Sequence, residues 1–372
     1  MSTDRRTRAW IEVQSASLRR NFRRLREAVP EGVRLVPMVK ADGYGLGMLD
    51  VVRSLAREAP WGWGVATVDE GVSLRSAGIT EPVIVFSPLP PGSEAAAVAH
   101  DLTVTVSQVE TLDRLRECAG ERPVRVHLEV DTGMGRAGFA YDSVRDWGPS
   151  IRSRLVPPLK WEGMFTHFHS ADEAGGPGVD EQMARFRAVA GHLNPPSAVL
   201  LHVANSAGLL RLGRGLRGFS LARPGIFLYG GRCGSDLPPP EPVVAVRARV
   251  VRVAEVPAGA TVGYGSTYRA EAPQRWATLS IGYGDGYRRA ASNGAEVLVA
   301  GRRAPVVGRI SMDMTVANIT GVPGVIPGDV ATLLGSDGEE EILLEEVAAW
   351  MGTIPYEVLT GLTPRLPRIW TE

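Results

Sequence analysis

Residues 33–47 read Val-Arg-Leu-Val-Pro-Met-Val-Lys-Ala-Asp-Gly-Tyr-Gly-Leu-Gly. An apolar, β-branched run therefore ends in Lys40 and passes directly into a glycine-rich turn. Apolar runs bounded by turn signals are typical of buried strands. A lysine at the mouth of such a strand is partly desolvated, and desolvation disfavours the charged ammonium. The neutral amine that becomes available can attack a carbonyl carbon and form a Schiff base.

Lys40 is one of only two lysines in a chain that contains 41 lysines and arginines together. The other, Lys160, precedes a strand-like run and is interpreted as an ordinary exposed charge. Because a guanidinium is not deprotonated in practice, arginine cannot replace lysine in Schiff-base chemistry. The alternative interpretation of Lys40 is a surface lysine whose stem lies along the strand end.

Composition narrows the class of protein. The length of 372 residues predicts two domains. A formal net charge of zero argues against a nucleic-acid partner, and no apolar run is long enough to cross a membrane. The polar opening Met1–Arg6 predicts no signal peptide. Two cysteines, Cys118 and Cys233, are too few for a disulfide framework and lack metal-ligand spacing. These features predict a cytoplasmic protein without a structural metal.

Strand-like and helix-like segments alternate through the first half of the chain. After the Lys40 strand come seven more strand-like runs, at 64–68, 83–86, 102–106, 124–130, 161–165, 199–203 and 219–221. Such alternation implies parallel strands. Eight units in about 220 residues match the α/β class known as the (β/α)₈ or TIM barrel. A doubly wound open sheet is the rival, but no GxGxxG follows the first strand.

The pattern of alternating strand-like and helix-like segments ends at the proline cluster 236–242, which is typical of a stiff linker. Beyond it, alternating runs at 243–256, 276–281, 295–299, 304–319 and 329–334 predict a β-rich domain that closes with a helix at 344–351. The predicted domains are therefore a barrel over residues 14–235 and a β-rich domain over 236–372. Residues 1–13 should form a strand that packs with the β domain.

In a barrel of this type, the active site lies at the carboxyl ends of the strands. The polar residues that follow each predicted strand end are Lys40, then Asp131 to Gly133 with Arg136, then His167 and His169, then Asn205 and Ser206, then Arg223 and Gly225. They are nearly all of the chemically notable residues in the first 235. The strand assignment alone therefore places them at one face of the barrel.

Two groups near the end of the barrel are candidates for cofactor binding. Barrel enzymes often bind phosphate after the seventh and eighth strands, which favours Ser206 and Gly225 as phosphate ligands over a plain turn. Arg223 ends a buried strand, and a buried charge needs a partner. That partner could be a carboxylate or a cofactor ring.

Three further groups have a functional and a structural interpretation. Arg136 lies on a glycine-flanked loop and suits a substrate carboxylate, with a surface ion pair as the alternative. His167 and His169 lack a third ligand at metal spacing, so ring stacking or core burial is favoured over zinc. Tyr264, between two glycines of the second domain, is either an exposed acid–base phenol or a turn residue.

Several ordered motifs together make the chain similar to the alanine racemases, pyridoxal-phosphate enzymes of fold type III. The resemblance runs almost end to end. It is carried by 39–47 (Val-Lys-Ala-Asp-Gly-Tyr-Gly-Leu-Gly), 131–138 (Asp-Thr-Gly-Met-Gly-Arg-Ala-Gly), 163–168 (Gly-Met-Phe-Thr-His-Phe), 263–268 (Gly-Tyr-Gly-Ser-Thr-Tyr), 308–313 (Gly-Arg-Ile-Ser-Met-Asp) and 354–358 (Ile-Pro-Tyr-Glu-Val).

The resemblance implies a PLP-dependent isomerase that interconverts L- and D-alanine, the latter for peptidoglycan. Lys40 would hold the cofactor and serve as one base, with Tyr264 as the other. The remaining implied cofactor ligands are Tyr44, His167, Asn205, Ser206, Arg223, Gly225, Ile226 and Tyr356. Arg136 and the backbone of Met312 would hold the substrate carboxylate, with Glu129 and Asp313 in support.

The family is a head-to-tail homodimer, so the resemblance implies that Tyr264, Met312 and Asp313 act on the partner's barrel. One position departs from the pattern. Many members have a carbamylated lysine where this chain has Glu129, which implies activity that does not depend on bicarbonate.

Three other functions remain as alternatives. A broader racemase acting on serine, lysine or arginine is the nearest, although two tyrosines would crowd the pocket. A fold-type III decarboxylase lacks its cysteine motif here. A non-catalytic PLP-carrier barrel would not need the second domain.

Overall fold

Strands and helices alternate from Ala9 to Ala222 in the computed structural model, which describes residues 7–372. In chain order these elements are β1 (Ala9–Gln14), α1 (Ser15–Ala28), β2 (Arg34–Leu35), α2 (Lys40–Tyr44), α3 (Met48–Ala56), β3 (Trp63–Val65), α4 (Val68–Ser76), β4 (Val83–Val85), α5 (Glu94–Ala99), β5 (Thr103–Val106), α6 (Val109–Ala119), β6 (Val124–Asp131), β7 (Phe139–Ala140), α7 (Val144–Arg154), β8 (Leu159–Phe165), α8 (Val179–Leu193), β9 (Leu200–His202), α9 (Ser206–Leu212) and β10 (Leu221–Ala222).

Eight of these strands form a ring in the order β2-β10-β9-β8-β6-β5-β4-β3, and every neighbouring pair is parallel. The ring closes where Met38 forms a parallel bridge to Gly64. Strands such as β4 and β5 are buried along their whole length, because helices cover one side and barrel side chains fill the other. The predicted (β/α)₈ barrel is confirmed.

Helix α1 shows how the outer layer is attached. Its apolar stripe is buried, with Leu18, Phe22 and Leu25 at most 1% exposed. Side chains spaced three and four residues apart lie on one helical face, so this face packs on the barrel while the arginines between them face outward. No helix within residues 7–372 is both long enough and apolar enough to cross a membrane.

The second part of the chain is built mainly from antiparallel strands. Its elements are β11 (Val244–Val256), β12 (Thr261–Val262), β13 (Tyr268–Arg269), β14 (Gln274–Leu279), β15 (Glu296–Val299), β16 (Arg302–Pro305), β17 (Thr315–Asn318), β18 (Val330–Asp337), β19 (Glu340–Ile342), α10 (Leu344–Trp350), α11 (Pro355–Thr360) and β20 (Arg368–Thr371). The central strand β11 pairs with β1, β14 and β18.

Strand β1 joins the sheet of the second domain. It pairs antiparallel with β11, with Ala9 opposite Ala248, and parallel with β20, with Ile11 opposite Arg368. The chain therefore begins its described part in one domain, continues through the barrel and returns. The first six residues of the predicted N-terminal segment lie outside the described residues.

One predicted strand, 304–319, is wrong in extent. The structure has two strands there, β16 and β17, separated by a turn. Gly308 adopts φ of +73°, and the Ser311 N–H donates to the Met314 carbonyl at 2.9 Å while the Ser311 hydroxyl accepts the Met314 N–H at 3.1 Å. Apolar residues on both sides of this turn gave the appearance of one continuous run. Helix α11 and strand β20 were not predicted.

Candidate active site

A left-handed helical turn follows the first barrel strand and carries Lys40 at its start. Ala41, Asp42, Gly43 and Tyr44 all have φ between 52° and 63°. For an L-residue other than glycine, this conformation costs roughly 1–2 kcal/mol relative to the right-handed one. The turn is therefore held in place by its surroundings rather than by its own preference.

Two distant side chains supply that support. The Ala41 N–H donates to Glu70 Oε1 at 2.6 Å, and the other oxygen of Glu70 caps the start of α4. From β20, Arg368 donates twice to the carbonyl of Gly45, at 2.8 and 2.9 Å. A Cβ at Gly45 would lie 2.4 Å from the Leu359 carbonyl oxygen, so only glycine allows this close approach.

A cavity of about 680 Å³ opens at the carboxyl ends of the barrel strands. It gathers the eleven predicted site residues that the barrel and α11 supply: Lys40, Tyr44, Glu129, Arg136, His167, Asn205, Ser206, Arg223, Gly225, Ile226 and Tyr356. Burial lowers the pKa of Lys40, and the charges of Arg136 and Arg223 lower it further, while Glu70 acts in the opposite direction. The neutral amine is therefore more accessible than at an exposed lysine.

Neutral hydrogen-bond donors line one end of this cavity. The Gly225 N–H donates to Ser206 Oγ at 2.8 Å, and a Cβ at Gly225 would lie 2.2 Å from the Tyr44 hydroxyl oxygen. The Tyr44 ring stacks on Tyr229 at 4.3 Å and lies 6.2 Å from the Tyr356 ring. Burial raises the pKa of both the Tyr44 and Tyr356 phenols. They remain protonated donors, as a phosphate group requires.

Asn205 and Ile226 shape the same end of the cavity. The side-chain oxygen of Asn205 accepts the Gly208 N–H at 2.9 Å and so begins α9. Ile226 is 1% exposed, and a Cβ at Gly231 would lie 2.5 Å from it. Both residues therefore fix the loops around Ser206 and Gly225.

A buried guanidinium lies at the floor of the cavity. Arg223 is 4% exposed and donates to the Thr166 carbonyl at 2.8 Å and towards His167 Nδ1 at 3.4 Å. Burial lowers the pKa of Arg223 to about 10, which leaves it cationic at neutral pH. Burial, with the nearby Arg223 charge, lowers the pKa of His167 to about 3. The site thus presents a cation beside a neutral imidazole.

Glu129 lies near the end of β6, and Arg136 lies on the loop that follows this strand; both line the cavity. Burial raises the pKa of the Glu129 carboxyl, while a hydrogen bond from Ser107 (2.8 Å to Oε2) and the Arg136 charge act in the opposite direction. The loop that carries Arg136 is held by the Asp131 carboxylate, which accepts the N–H groups of Gly133 and Gly135. The backbone of the loop is thereby held beside β6, and it carries the Arg136 guanidinium into the cavity that Glu129 also lines.

The remaining predicted residues lie on the second domain, and within residues 7–372 none of them lines this cavity. Tyr264 is 69% exposed and Met312 is 52% exposed. The Asp313 carboxylate accepts from Arg365 at 2.6 Å, and the Met312 carbonyl accepts the Gly284 N–H at 2.8 Å. The loop is therefore ordered on its own domain while its apolar tip faces outward.

Three contributors to the site were not predicted. The Tyr229 ring stacks on Tyr44, Glu70 holds the turn after Lys40, and His202 contacts Arg223. Glu70 could have been recognised from the sequence, because Thr67 three residues earlier forms a capping box with it. His202 was visible as a polar residue in an apolar strand. The stack of Tyr229 on Tyr44 joins distant segments and leaves no local signal.

Two families match this chain in succession. The family described as "Alanine racemase, N-terminal domain" matches residues 13–233, and "Alanine racemase, C-terminal domain" matches residues 243–370. The two matches cover the barrel and the β-rich domain respectively.

Whole-length similarity to named proteins agrees with these matches. "Alanine racemase" from Syntrophobacter fumaroxidans is 38% identical over 360 residues, which is 95% of each chain, and the one from Geobacter sulfurreducens is 37% identical over 96% of each. Among solved structures, alanine racemase from E. faecalis has a TM-score of 0.92 at 33% identity with complete coverage of both chains. The enzyme from Streptomyces coelicolor A3(2) has 0.91 at 33% identity, also with complete coverage.

Proposed function

This chain belongs to the alanine racemase family, and on that premise we propose that it interconverts L- and D-alanine with two bases on opposite faces of a cofactor-bound substrate. One observation carries the proposal. A single cavity gathers a half-buried lysine with a lowered pKa, neutral hydroxyl donors and a buried guanidinium.

Pyridoxal phosphate is the cofactor that we propose, because the residues present fit its three chemical parts. The Lys40 amine suits its aldehyde carbon. The space that a Cβ at Gly225 would fill leaves the backbone approachable by phosphate. Arg223 can only donate, which suits an unprotonated ring nitrogen. The residues that would hold the cofactor are Lys40, Tyr44, His167, Asn205, Ser206, Arg223, Gly225, Ile226 and Tyr356.

Proton transfer by two residues explains racemisation. When bound, the cofactor supplies an electron sink that makes the Cα–H bond of the amino acid acidic. Lys40 Nζ removes or returns the proton on one face, and Tyr264 Oη of the partner subunit does so on the other. Arg136 and the Met312 N–H hold the carboxylate, so that Cα stays between the two bases. Glu129 and Asp313 support these two groups.

A homodimer is part of the proposal, because Tyr264 and Met312 do not line the cavity of their own chain. Both are exposed apolar side chains on the second domain, as are Tyr283, Met314 and Ile354. Exposed apolar surface often marks an interaction site. A head-to-tail arrangement would bury these side chains and bring each Tyr264 to the other subunit's Lys40.

The experiment that tests the activity is chiral chromatography of L-alanine incubated with purified protein loaded with pyridoxal phosphate. We expect equal amounts of L- and D-alanine at equilibrium, because the two enantiomers have the same free energy in water. Absence of D-alanine with the cofactor bound would contradict the proposal.

Two tyrosines should limit the size of the substrate side chain. Tyr356 lines the cavity, and Tyr264 of the partner subunit would face it, so little room remains beyond a methyl group. We expect kcat/KM for serine, lysine and arginine to be lower than for alanine by at least about tenfold. Comparable values across a panel of amino acids would favour the second candidate, a broader racemase.

Glu129 should make carbamate chemistry unnecessary. Its carboxyl can supply the negative charge beside Arg136 without any added group, so activity should not change when bicarbonate is removed from the buffer. Glu129→Gln should raise KM for alanine by about tenfold, with a smaller effect on kcat, because Arg136 loses an anionic neighbour. As the matched control, Glu129→Lys should become bicarbonate-stimulated. Loss of wild-type activity without bicarbonate would refute this role.

We also propose that the D-alanine supplies peptidoglycan synthesis and that the enzyme works in the cytoplasm. Expression of this chain should then allow a bacterium without its own alanine racemase to grow in the absence of D-alanine. Growth that still requires added D-alanine would argue against this role.

A further inference from the structure

A line of polar side chains extends from Arg223 into the barrel interior. Arg223 Nη1 lies 2.8 Å from His202 Nδ1, and His202 Nε2 lies 2.8 Å from His127 Nδ1. His127 Nε2, which has no hydrogen-bond partner of good geometry, lies 3.4 Å from Glu162 Oε2, so this last link is a charge contact. Both histidines have no exposed surface, whereas the Glu162 side chain is 14% exposed. We refer to His202, His127 and Glu162 as the relay.

The chemistry of Arg223 sets the direction of every link. A guanidinium only donates, so His202 Nδ1 must be an unprotonated acceptor and its proton must be on Nε2. His202 Nε2–H then donates to His127 Nδ1, which places the proton of His127 on Nε2, facing the Glu162 carboxylate. Burial lowers the pKa of both imidazoles, which keeps them neutral. Every N–H in the line therefore points away from the Arg223 guanidinium and towards the Glu162 carboxylate.

The barrel wall is shaped for this arrangement. A Cβ at Gly163 would lie 2.4 Å from the His127 ring, so a glycine is required opposite that imidazole. The ring of Phe165 stacks on His202 at 4.9 Å with an interplanar angle of 10°. Glu162 also accepts from Thr103 Oγ1 at 3.1 Å. Packing thus fixes both ring planes, and the carboxylate is anchored independently.

Polarisation along the line acts on Arg223. In a buried chain of hydrogen bonds, each bond strengthens the next. The Glu162 anion beside His127 Nε2 polarises that chain through its charge, which makes His202 Nδ1 a better acceptor. Arg223 Nη1 is then held by His202, while Nη2 donates to the Thr166 carbonyl at 2.8 Å. These bonds fix the plane of a guanidinium that also lines the cavity.

We propose that the relay aims the Arg223 guanidinium at the cofactor ring, so that His202, His127 and Glu162 are positioning residues for racemisation. The proposal deepens the proposed function and rests on its assignment of pyridoxal phosphate to this cavity. It also assigns a role to the buried imidazoles, which apolar side chains could replace if packing were their only contribution.

The tautomers test the relay without reference to catalysis. Long-range ¹H–¹⁵N NMR of the holoenzyme labelled with ¹⁵N-histidine should show His202 and His127 neutral and protonated on Nε2 at neutral pH. His127→Asn and His202→Asn identify the two signals. An imidazolium at either position, or a proton on Nδ1 of either ring, would overturn the proposal.

The effect of the relay on catalysis is tested with Glu162→Gln, which keeps the shape of the side chain and removes its charge. We expect kcat to fall about fivefold to tenfold, the effect of weakening one hydrogen bond to a charged group, with KM nearly unchanged and the absorption maximum of the bound cofactor shifted. Glu117→Gln, exposed on α6, should change none of these. If Glu162→Gln does not fold, His127→Asn takes its place.

The two proposals fail in different ways. If Glu162→Gln racemises alanine at the wild-type rate with an unshifted cofactor spectrum, the relay is wrong and the proposed function stands. If the wild-type protein binds no pyridoxal phosphate, the proposed function is wrong, and so is the proposal that the relay positions Arg223 towards the cofactor ring.

Discussion

Replacing Lys40 by alanine is expected to lower racemisation by at least about 10⁴-fold, because in the proposed mechanism one side chain both holds the cofactor and moves a proton. The burial and the lowered pKa of Lys40 make it the amine in the cavity that can become neutral. The measurement is D-alanine formation from L-alanine at saturating pyridoxal phosphate. The absorption band of the covalently held cofactor should also disappear.

The chain offers a matched control for this substitution. Lys160, at the start of β8, is exposed and is the other lysine of the sequence. Lys160→Ala should leave both racemisation and the cofactor band unchanged. If Lys40→Ala retained more than about 1% of wild-type turnover, the cofactor would have to be held elsewhere, and the assignment of Lys40 would be wrong.

Replacing Tyr264 by phenylalanine should lower racemisation by about 10²–10⁴-fold, the usual contribution of a general acid–base group. This change removes only a hydroxyl from an exposed ring, so the fold should be unaffected. Tyr268→Phe is the control, since that hydroxyl bonds to Gln274 within the second domain. Solvent-deuterium exchange at Cα, followed separately for L- and D-alanine, should become strongly unequal once one face has lost its base.

Mixed dimers decide whether Tyr264 acts on the partner. Lys40→Ala and Tyr264→Phe protomers should each be nearly inactive in a homodimer. When they are co-refolded in equal amounts, half of the dimers are mixed, and one of the two sites in each carries both Lys40 and Tyr264. Activity should therefore recover to about a quarter of the wild-type value. No recovery despite mixed dimers in native mass spectra would place Tyr264 in its own chain's site.

Much of the barrel could be predicted from the sequence because its determinants are local. Runs such as Val83–Val85 and Thr103–Val106 are wholly buried strands, and the stripe through Leu18, Phe22 and Leu25 is one face of α1. Because the carboxyl ends of parallel strands meet at one face, predicting the strands also predicted which barrel residues would line the cavity.

The parts that could not be predicted depend on contacts between distant segments. Alternating apolar residues hid the Ser311 turn inside what looked like one strand. The left-handed conformation of Ala41 has no local cause, since alanine does not favour it, and aspartate at position 42 adopts it only occasionally. The line from Arg223 to Glu162 joins separate strands, and only the assembled barrel brings its members into contact.

The support of the turn after Lys40 also bears on how the protein is made. Glu70 comes 29 residues after Ala41, but Arg368 comes 323 residues after Gly45. A ribosome therefore produces the reactive amine early and the arginine that completes its turn late. A nascent chain that already contains every strand of the barrel still lacks two hydrogen bonds to the strained backbone beside the amine. The turn beside Lys40 can therefore be completed only when β20 is present, after nearly all of the protein has been synthesised.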